Sequence, residues 1–181
     1  EMYLFESNNK EAEFYDNKGK SIRKTLMKTP IDGARLSSGF GKRRHPILGY
    51  NKMHKGIDFA AKRGTPIYAA GDGIIERANL YGGYGRYIRI RHNSQYQTAY
   101  AHLSKFARGV KRNIRVKQGQ VIGYVGTSGR STGPHLHYEV IFNKKQINPN
   151  RLKMPEVKAL NKNEIIDFQK KKENILNILL D

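Results

Sequence analysis

The chain has 181 residues, a length that suits one domain with a sizeable core plus short appendages. It has no cysteine, which excludes disulfides and thiolate metal sites, so any metal must be held by His, Asp or Glu. No apolar run reaches 18 residues, which excludes a membrane-spanning helix.

The net charge is +19, and its location is informative. Residues 33–155 hold 23 Lys and Arg against four acids, Asp58, Asp72, Glu76 and Glu139, while the flanks cancel. The partner of this segment is therefore expected to be anionic, the plain alternative being a solvated basic surface. Nucleic acid is disfavoured, because the chain has neither an interleaved aromatic and basic platform nor a recognition helix. Acids are so scarce here that each of the four asks for a reason. The chain starts at Glu1 with no signal peptide ahead of it and reads as a mature form or an excised fragment.

In chain order, residues 2–28 alternate loosely around "SNNK" and "DNKGK", which predicts a meander of two or three strands. After "TPIDG" the composition turns to Gly, aromatic and basic residues. There "GTPIYAAGDGIIERA", "GRYIRIRH", "QTAYAHLS", "QVIGYVG" and "HLHYEVIF" are short strands between Gly or Asn turns, spacing that suits an antiparallel sheet or sandwich. "MP" at 154–155 punctuates the end. Beyond it, Asn161 and Glu164 have capping-box spacing, and Ile165, Phe168, Ile175, Leu176 and Leu179 recur at near-helical intervals, predicting a C-terminal helix. The expected division is residues 1–33, 34–155 and 156–181, with the middle part mainly β.

Three stretches of the middle part carry chemistry. In "HLHYEV" a strand puts His135, His137 and Glu139 on one face and Leu136, Tyr138 and Val140 on the other. Two imidazoles and a carboxylate make an unusual outer face, though a lone His-x-His also arises by chance. In "MHKGIDFAA", His54 and Asp58 are too far apart on one extended strand to share an ion, so His54 belongs on a bend before the strand of Asp58. In "TAYAHLS", alternation groups Thr98, Tyr100 and His102 on one face and Ala99, Ala101 and Leu103 on the other. Two His and one Asp make a three-ligand set of the kind a catalytic zinc uses, with two histidines left for acid–base work. Such chemistry hydrolyses amides, and the helical H-E-x-x-H motif is absent.

The ordered set "SSGFGKRRHPILGYNKMHKGIDFAA", "GTPIYAAGDG", "YAHLS" and "GQVIGYVGTSGRSTGPHLHYEV" resembles the lysostaphin-type zinc endopeptidases of peptidase family M twenty-three over about residues 35–150. The resemblance implies that His54, Asp58 and His137 ligate one Zn2+ and that His102 and His135 act in catalysis. It implies an antiparallel β domain whose groove is walled by loops, here residues 45–53, 79–85 and 127–133. His45 could border that groove, and His92 is expected to be structural. The "GFGKRRHPILGYNKMHKGIDFAA" opening looks most like periplasmic members from Gram-negative bacteria, which implies a peptidoglycan D,D-endopeptidase acting on D-Ala–meso-diaminopimelate cross-links. Trimming of terminal D-Ala, a D,D-carboxypeptidase activity, stays open, and so does a non-catalytic peptidoglycan-binding or amidase-activating module. Wall peptides carry free carboxylates and would be the anionic partner. Longer relatives carry preceding domains that can cover the groove, so residues 1–33 are read as a remnant that docked on one.

Overall fold

The β-branched and aromatic runs between glycine and asparagine turns fold as strands. The computed structural model describes residues 2–6, 12–20, 26–44, 51–152 and 160–180. The chain divides into two compact units, one of Leu26–Lys153 and one that joins Glu1–Thr25 to Met154–Asp181. In chain order the strands are β1 (Tyr3–Phe5), β2 (Glu13–Tyr15), β3 (Arg35–Ser38), β4 (Gly41–Arg44), β5 (Asn51–His54), β6 (Ile57–Ala60) and β7 (Pro66–Tyr68). There follow β8 (Gly73–Leu80), β9 (Arg86–Arg91), β10 (Tyr96–Phe106), β11 (Arg115–Val116), β12 (Val121–Val125), β13 (His135–Phe142) and β14 (Lys145–Ile147). An α-helix, α1, spans Lys162–Leu180.

In the Leu26–Lys153 unit an antiparallel sheet runs in the order β11-β8-β9-β10-β13-β6-β3, with β12 against β10 and β7, and β14 against β13. The hairpin β4-β5 pairs separately. The sheet's apolar face is dry: Ile57, Ile88, Ile90, Tyr100, Leu136 and Tyr138 are wholly buried. Burying one such side chain contributes roughly 1.5–3 kcal/mol. The two tyrosine hydroxyls are satisfied, Tyr100 accepting from the Ala70 N–H at 2.8 Å and Tyr138 donating to the Met27 carbonyl at 3.0 Å.

The run at 64–78 forms two strands, β7 and β8, and not one. Gly73 explains the restart of the ladder, because a Cβ there would lie 2.5 Å from the Arg91 carbonyl oxygen. Strands β3, β4, β5, β11 and β14 have four residues or fewer and follow no apolar alternation. Their partners, not their propensities, define them.

In the other unit β1 and β2 pair antiparallel, and Tyr3, Phe5 and Tyr15 pack on Leu160 and Phe168. The capping box forms: Glu164 N–H donates to Asn161 Oδ1 at 2.9 Å, and Asn161 N–H donates to Glu164 Oε2 at 2.8 Å. Phe168 is buried, with Ile165 packed beside it. The turn expected at 7–10, most of the third N-terminal strand and the "MP" stop lie outside the described residues.

Candidate metal centre

The site is built where β6 lies antiparallel to β13. Their register sets Asp58 directly opposite His137, so the two side chains leave the sheet together on one face. His54 arrives from the neighbouring hairpin. It ends β5, and Lys55 and Gly56 turn the chain into β6, the bend that the spacing requires. Gly56 permits this approach. A Cβ at that position would collide with the Tyr138 carbonyl and sit 2.8–2.9 Å from the His137 ring. Any side chain there would push His54 away from His137.

Three atoms then converge. Asp58 Oδ1 lies 3.0 Å from His54 Nε2 and 2.8 Å from His137 Nδ1, and the two ring nitrogens are 3.0 Å apart. Ligands on a tetrahedral zinc stand about 3.3 Å from one another, so a small outward adjustment of this two-nitrogen, one-oxygen set admits the ion. His54, Asp58 and His137 form the group able to hold a metal among the described residues. The far side of each ring is also fixed. His54 Nδ1–H donates to the Gly39 carbonyl at 2.6 Å, and His137 Nε2–H donates to Glu139 Oε1 at 3.0 Å. These bonds orient both rings so that, once a metal displaces the inner proton, His54 Nε2 and His137 Nδ1 would turn their lone pairs to the ion.

The electrostatics favour a cation. Burial acts to raise the Asp58 carboxyl, but hydrogen bonds from His137 and His54 outweigh it and hold the group far below the ordinary carboxylate range. Glu139 is 1% exposed, and burial again acts upward. Hydrogen bonds from His137, from the Tyr84 hydroxyl at 2.8 Å and from Gln146 at 3.3 Å reverse that and keep it ionised. Burial alone would lower His137, yet bonding to Asp58 and Glu139 raises it to about 9. Two buried carboxylates thus stabilise one positive charge between them, which a divalent ion can supply in place of the imidazole proton.

His102 and His135 complete the cluster, with ring centroids 4.7 Å apart. His135 Nδ1–H donates to the Gly133 carbonyl at 2.9 Å, and Ser131 Oγ lies 3.2 Å from the same nitrogen. His102 Nδ1–H donates to the Ser128 carbonyl at 2.8 Å. In both rings this leaves Nε2 as the free nitrogen. Burial pushes His102 down to about 4, so it is neutral at physiological pH.

Simple alternation groups His102 with Thr98 and Tyr100, and the structure corrects that grouping. Tyr100 pairs with Tyr138 on the apolar face, whereas Ala101 sits opposite His137 on the site face. His102 adopts a left-handed φ of 63° where β10 leaves β13 and takes β12 as partner. The pairing with β9 also slips between Tyr100 and Leu103. This irregularity turns the imidazole across the sheet, within 6.0 Å of the His137 ring.

Loops make a groove of about 660 Å³ over the cluster. Gly83 and Tyr84 line it from the second expected loop and Arg130 to Gly133 from the third, whereas Met53, expected at the end of the first loop, lines it from strand β5. Residues 45–50, His45 among them, lie outside the described residues. His92 stands apart, bonded to the Asp72 carbonyl and to Thr98 Oγ1, each at 2.7 Å, and is structural as expected. The face expected to be solvated is buried at His137 and Glu139, because the loops cover it.

The four scarce acids all have partners. Asp58 and Glu139 serve the cluster, Glu76 binds Arg89 and Arg91, and Asp72 accepts from the Gln118 N–H. The sequence placed Glu139 on the face of His135 and His137 but did not single it out as the residue that holds the His137 ring. Tyr84 and Ser128 carried no signal, since their contacts span 55 and 26 residues of chain.

The model of "Peptidase family M23" matches residues 52–149. Peptidoglycan DD-endopeptidase ShyC of Vibrio cholerae is 45% identical over 148 residues, which cover 81% of this chain and 34% of that protein. DD-carboxypeptidase/endopeptidase Mpg of Neisseria meningitidis is 48% identical over 126 residues, covering 70% of this chain and 29% of that protein. A solved zinc-containing peptidase from Vibrio cholerae superposes with a TM-score of 0.68 at 38% identity, covering 85% of this chain and 47% of that one. The chain thus spans about a third of the length of these curated relatives. With more than half of its residues matching the family model and its predicted motifs gathered in one groove, the chain belongs to peptidase family M23.

Proposed function

We propose that the chain is the catalytic part of a zinc-dependent peptidoglycan hydrolase, a D,D-endopeptidase that cuts D-Ala–meso-diaminopimelate cross-links during cell-wall remodelling in the periplasm of a Gram-negative bacterium. The observation that carries this reading is the convergence of three ligand atoms beside two imidazoles whose Nδ1 protons are pinned to carbonyls. The similarity to ShyC, a peptidoglycan DD-endopeptidase, and to Mpg, a DD-carboxypeptidase/endopeptidase, supports the substrate class. The catalytic domain in this reading is residues 34–155, flanked by the N-terminal strands and the C-terminal helix.

His54, Asp58 and His137 hold the ion, and Gly39 and Glu139 keep the two rings turned towards it. Zinc, when bound there, supplies a Lewis acid that polarises the scissile carbonyl and acidifies water. His102, neutral because it is buried, takes the proton of the attacking water on Nε2. The bond to Ser128 keeps that nitrogen facing the groove. His102 then returns that proton to the departing amine, and a protonated His135 beside it, carrying a second proton on Nε2, donates to the oxygen that gains charge.

The test is incubation of the protein with cross-linked diaminopimelate-type muropeptides, with and without chelator, followed by mass spectrometry. Conversion of dimers to monomers that stops with chelator and returns with zinc is the expected result. Loss of a single D-Ala from pentapeptides would show trimming by the same centre. No product under any metal condition would make the chain a binding or activating module. Relatives about three times as long leave room for an upstream domain, and in our reading that domain restrains the groove. Weak activity in a full-length protein that rises when the upstream region is removed is the expected outcome, and equal activity contradicts it.

A further inference from the structure

We infer that Arg130 selects the free carboxylate on the leaving-group side of the scissile amide. The inference rests on the cross-link reading above and adds what the groove discriminates. In a meso-diaminopimelate cross-link, the carbon that bears the scissile nitrogen also bears a free carboxylate. Whatever holds that carboxylate holds the departing amine.

Among the described residues of the groove, Arg130 is the cation suited to this. Arg130 lines it on the same loop as Ser131 and Gly133, the two contacts of His135 Nδ1. Arg130 N–H is anchored to the Gly83 carbonyl at 2.8 Å. Its aliphatic stem lies flat on Gly83, where a Cβ would stand 3.2 Å from Cδ. The guanidinium is exposed, and no carboxylate pairs with it among the described residues. The four acids of this basic segment are committed to other partners, so the positive charge is left for a ligand.

Position and chemistry then agree. The departing amine needs a proton, and His102 and His135 are the groove's proton carriers, so the amine belongs on their side. Arg130 shares the loop that holds His135, whereas Lys55 adjoins His54, a proposed metal ligand. A planar guanidinium binds a carboxylate through two parallel hydrogen bonds, which a lysine cannot reproduce.

The experiment uses two synthetic cross-linked peptides that differ at one group, this carboxylate or its carboxamide. Wild type should cleave the carboxylate form with kcat/KM roughly 10- to 100-fold above the carboxamide, the worth of a charge-assisted contact. Arg130→Ala should bring the ratio to within about threefold at unchanged zinc content, and Arg130→Lys should fall between. A wild type indifferent to the change, or an Arg130→Ala protein that keeps the preference, overturns the inference. Calorimetric binding of the same peptides to protein stripped of metal separates this inference from the hydrolase reading. Carboxylate-selective binding that depends on Arg130, without cleavage, would sink the hydrolase reading and leave the inference standing. Cleavage without selectivity would do the reverse, and neither cleavage nor selective binding would sink both.

Discussion

The separate roles proposed for five side chains predict separable defects. His137 touches Asp58 Oδ1 and Glu139 Oε1, so His137→Ala removes a ligand and leaves two buried carboxylates facing each other. We expect loss of both metal and activity. His135 lies 3.9 Å from Asp58 and is bonded to the Gly133 carbonyl, outside the ligand set. His135→Ala should retain most metal while turnover falls roughly 10²- to 10⁴-fold, the usual worth of a general acid or base. Zinc analysis alongside turnover decides between the roles, and unaltered turnover in either variant removes that residue from the mechanism. His102 predicts a pH effect. Burial lowers its pKa from 6.5 to about 4, so the neutral base persists until the pH falls towards 4. The acidic limb of kcat/KM should therefore lie well below 6.5 while zinc occupancy, measured at each pH, stays full. A midpoint between 6 and 7 at full occupancy would show that His102 is not the base. The sign for stability follows: the folded state binds fewer protons than the unfolded one between 6.5 and 4, so this contribution is complete above 6.5 and fades as pH falls through that window.

At the scale of the element, the site depends on where strands stop. β5 and β6 are joined by a turn so close to β13 that only glycine fits at position 56. Gly56→Ala should force the hairpin and the sheet apart, at a cost of about 1–3 kcal/mol and with loss of tight zinc binding. Thermal unfolding and a zinc competition titration check this, and a variant that binds zinc like wild type contradicts it. β10 shows what alternation can and cannot reveal. Its pattern correctly pairs Thr98 with Tyr100, because both stay on the apolar face. It fails at His102, where a left-handed residue and a change of partner strand break the period of two. No local feature of "TAYAHLS" announces that break, since the cause is β12, which docks from about 20 residues further along the chain. α1 behaves oppositely. Asn161, Glu164 and the Ile165/Phe168 spacing are local, and they predicted its start and its buried face.

Across the whole molecule, charge and fold divide the work. Excess positive charge on the peptidase segment should attract anionic wall peptides over distances that salt shortens. We expect kcat/KM on carboxylate-bearing cross-links to fall several-fold between 50 and 300 mM salt, at roughly constant kcat. An equal response with a neutral peptide of the same backbone would show that the effect is not steering. The sequence by itself determined the strand-rich class, the N-cap of the helix, the exclusion of thiolate ligands and the five candidate residues that meet in one groove. Those are properties of residue type and short spacing, which a chain carries before it folds. Only the tertiary structure decided that Asp58 faces His137, that Glu139, itself bonded by Tyr84, holds that ring, that His102 crosses to the site face and that Arg130 has no acid beside it among the described residues. Each of these depends on register between strands distant in sequence, and register is fixed by how whole faces bury and not by any one segment.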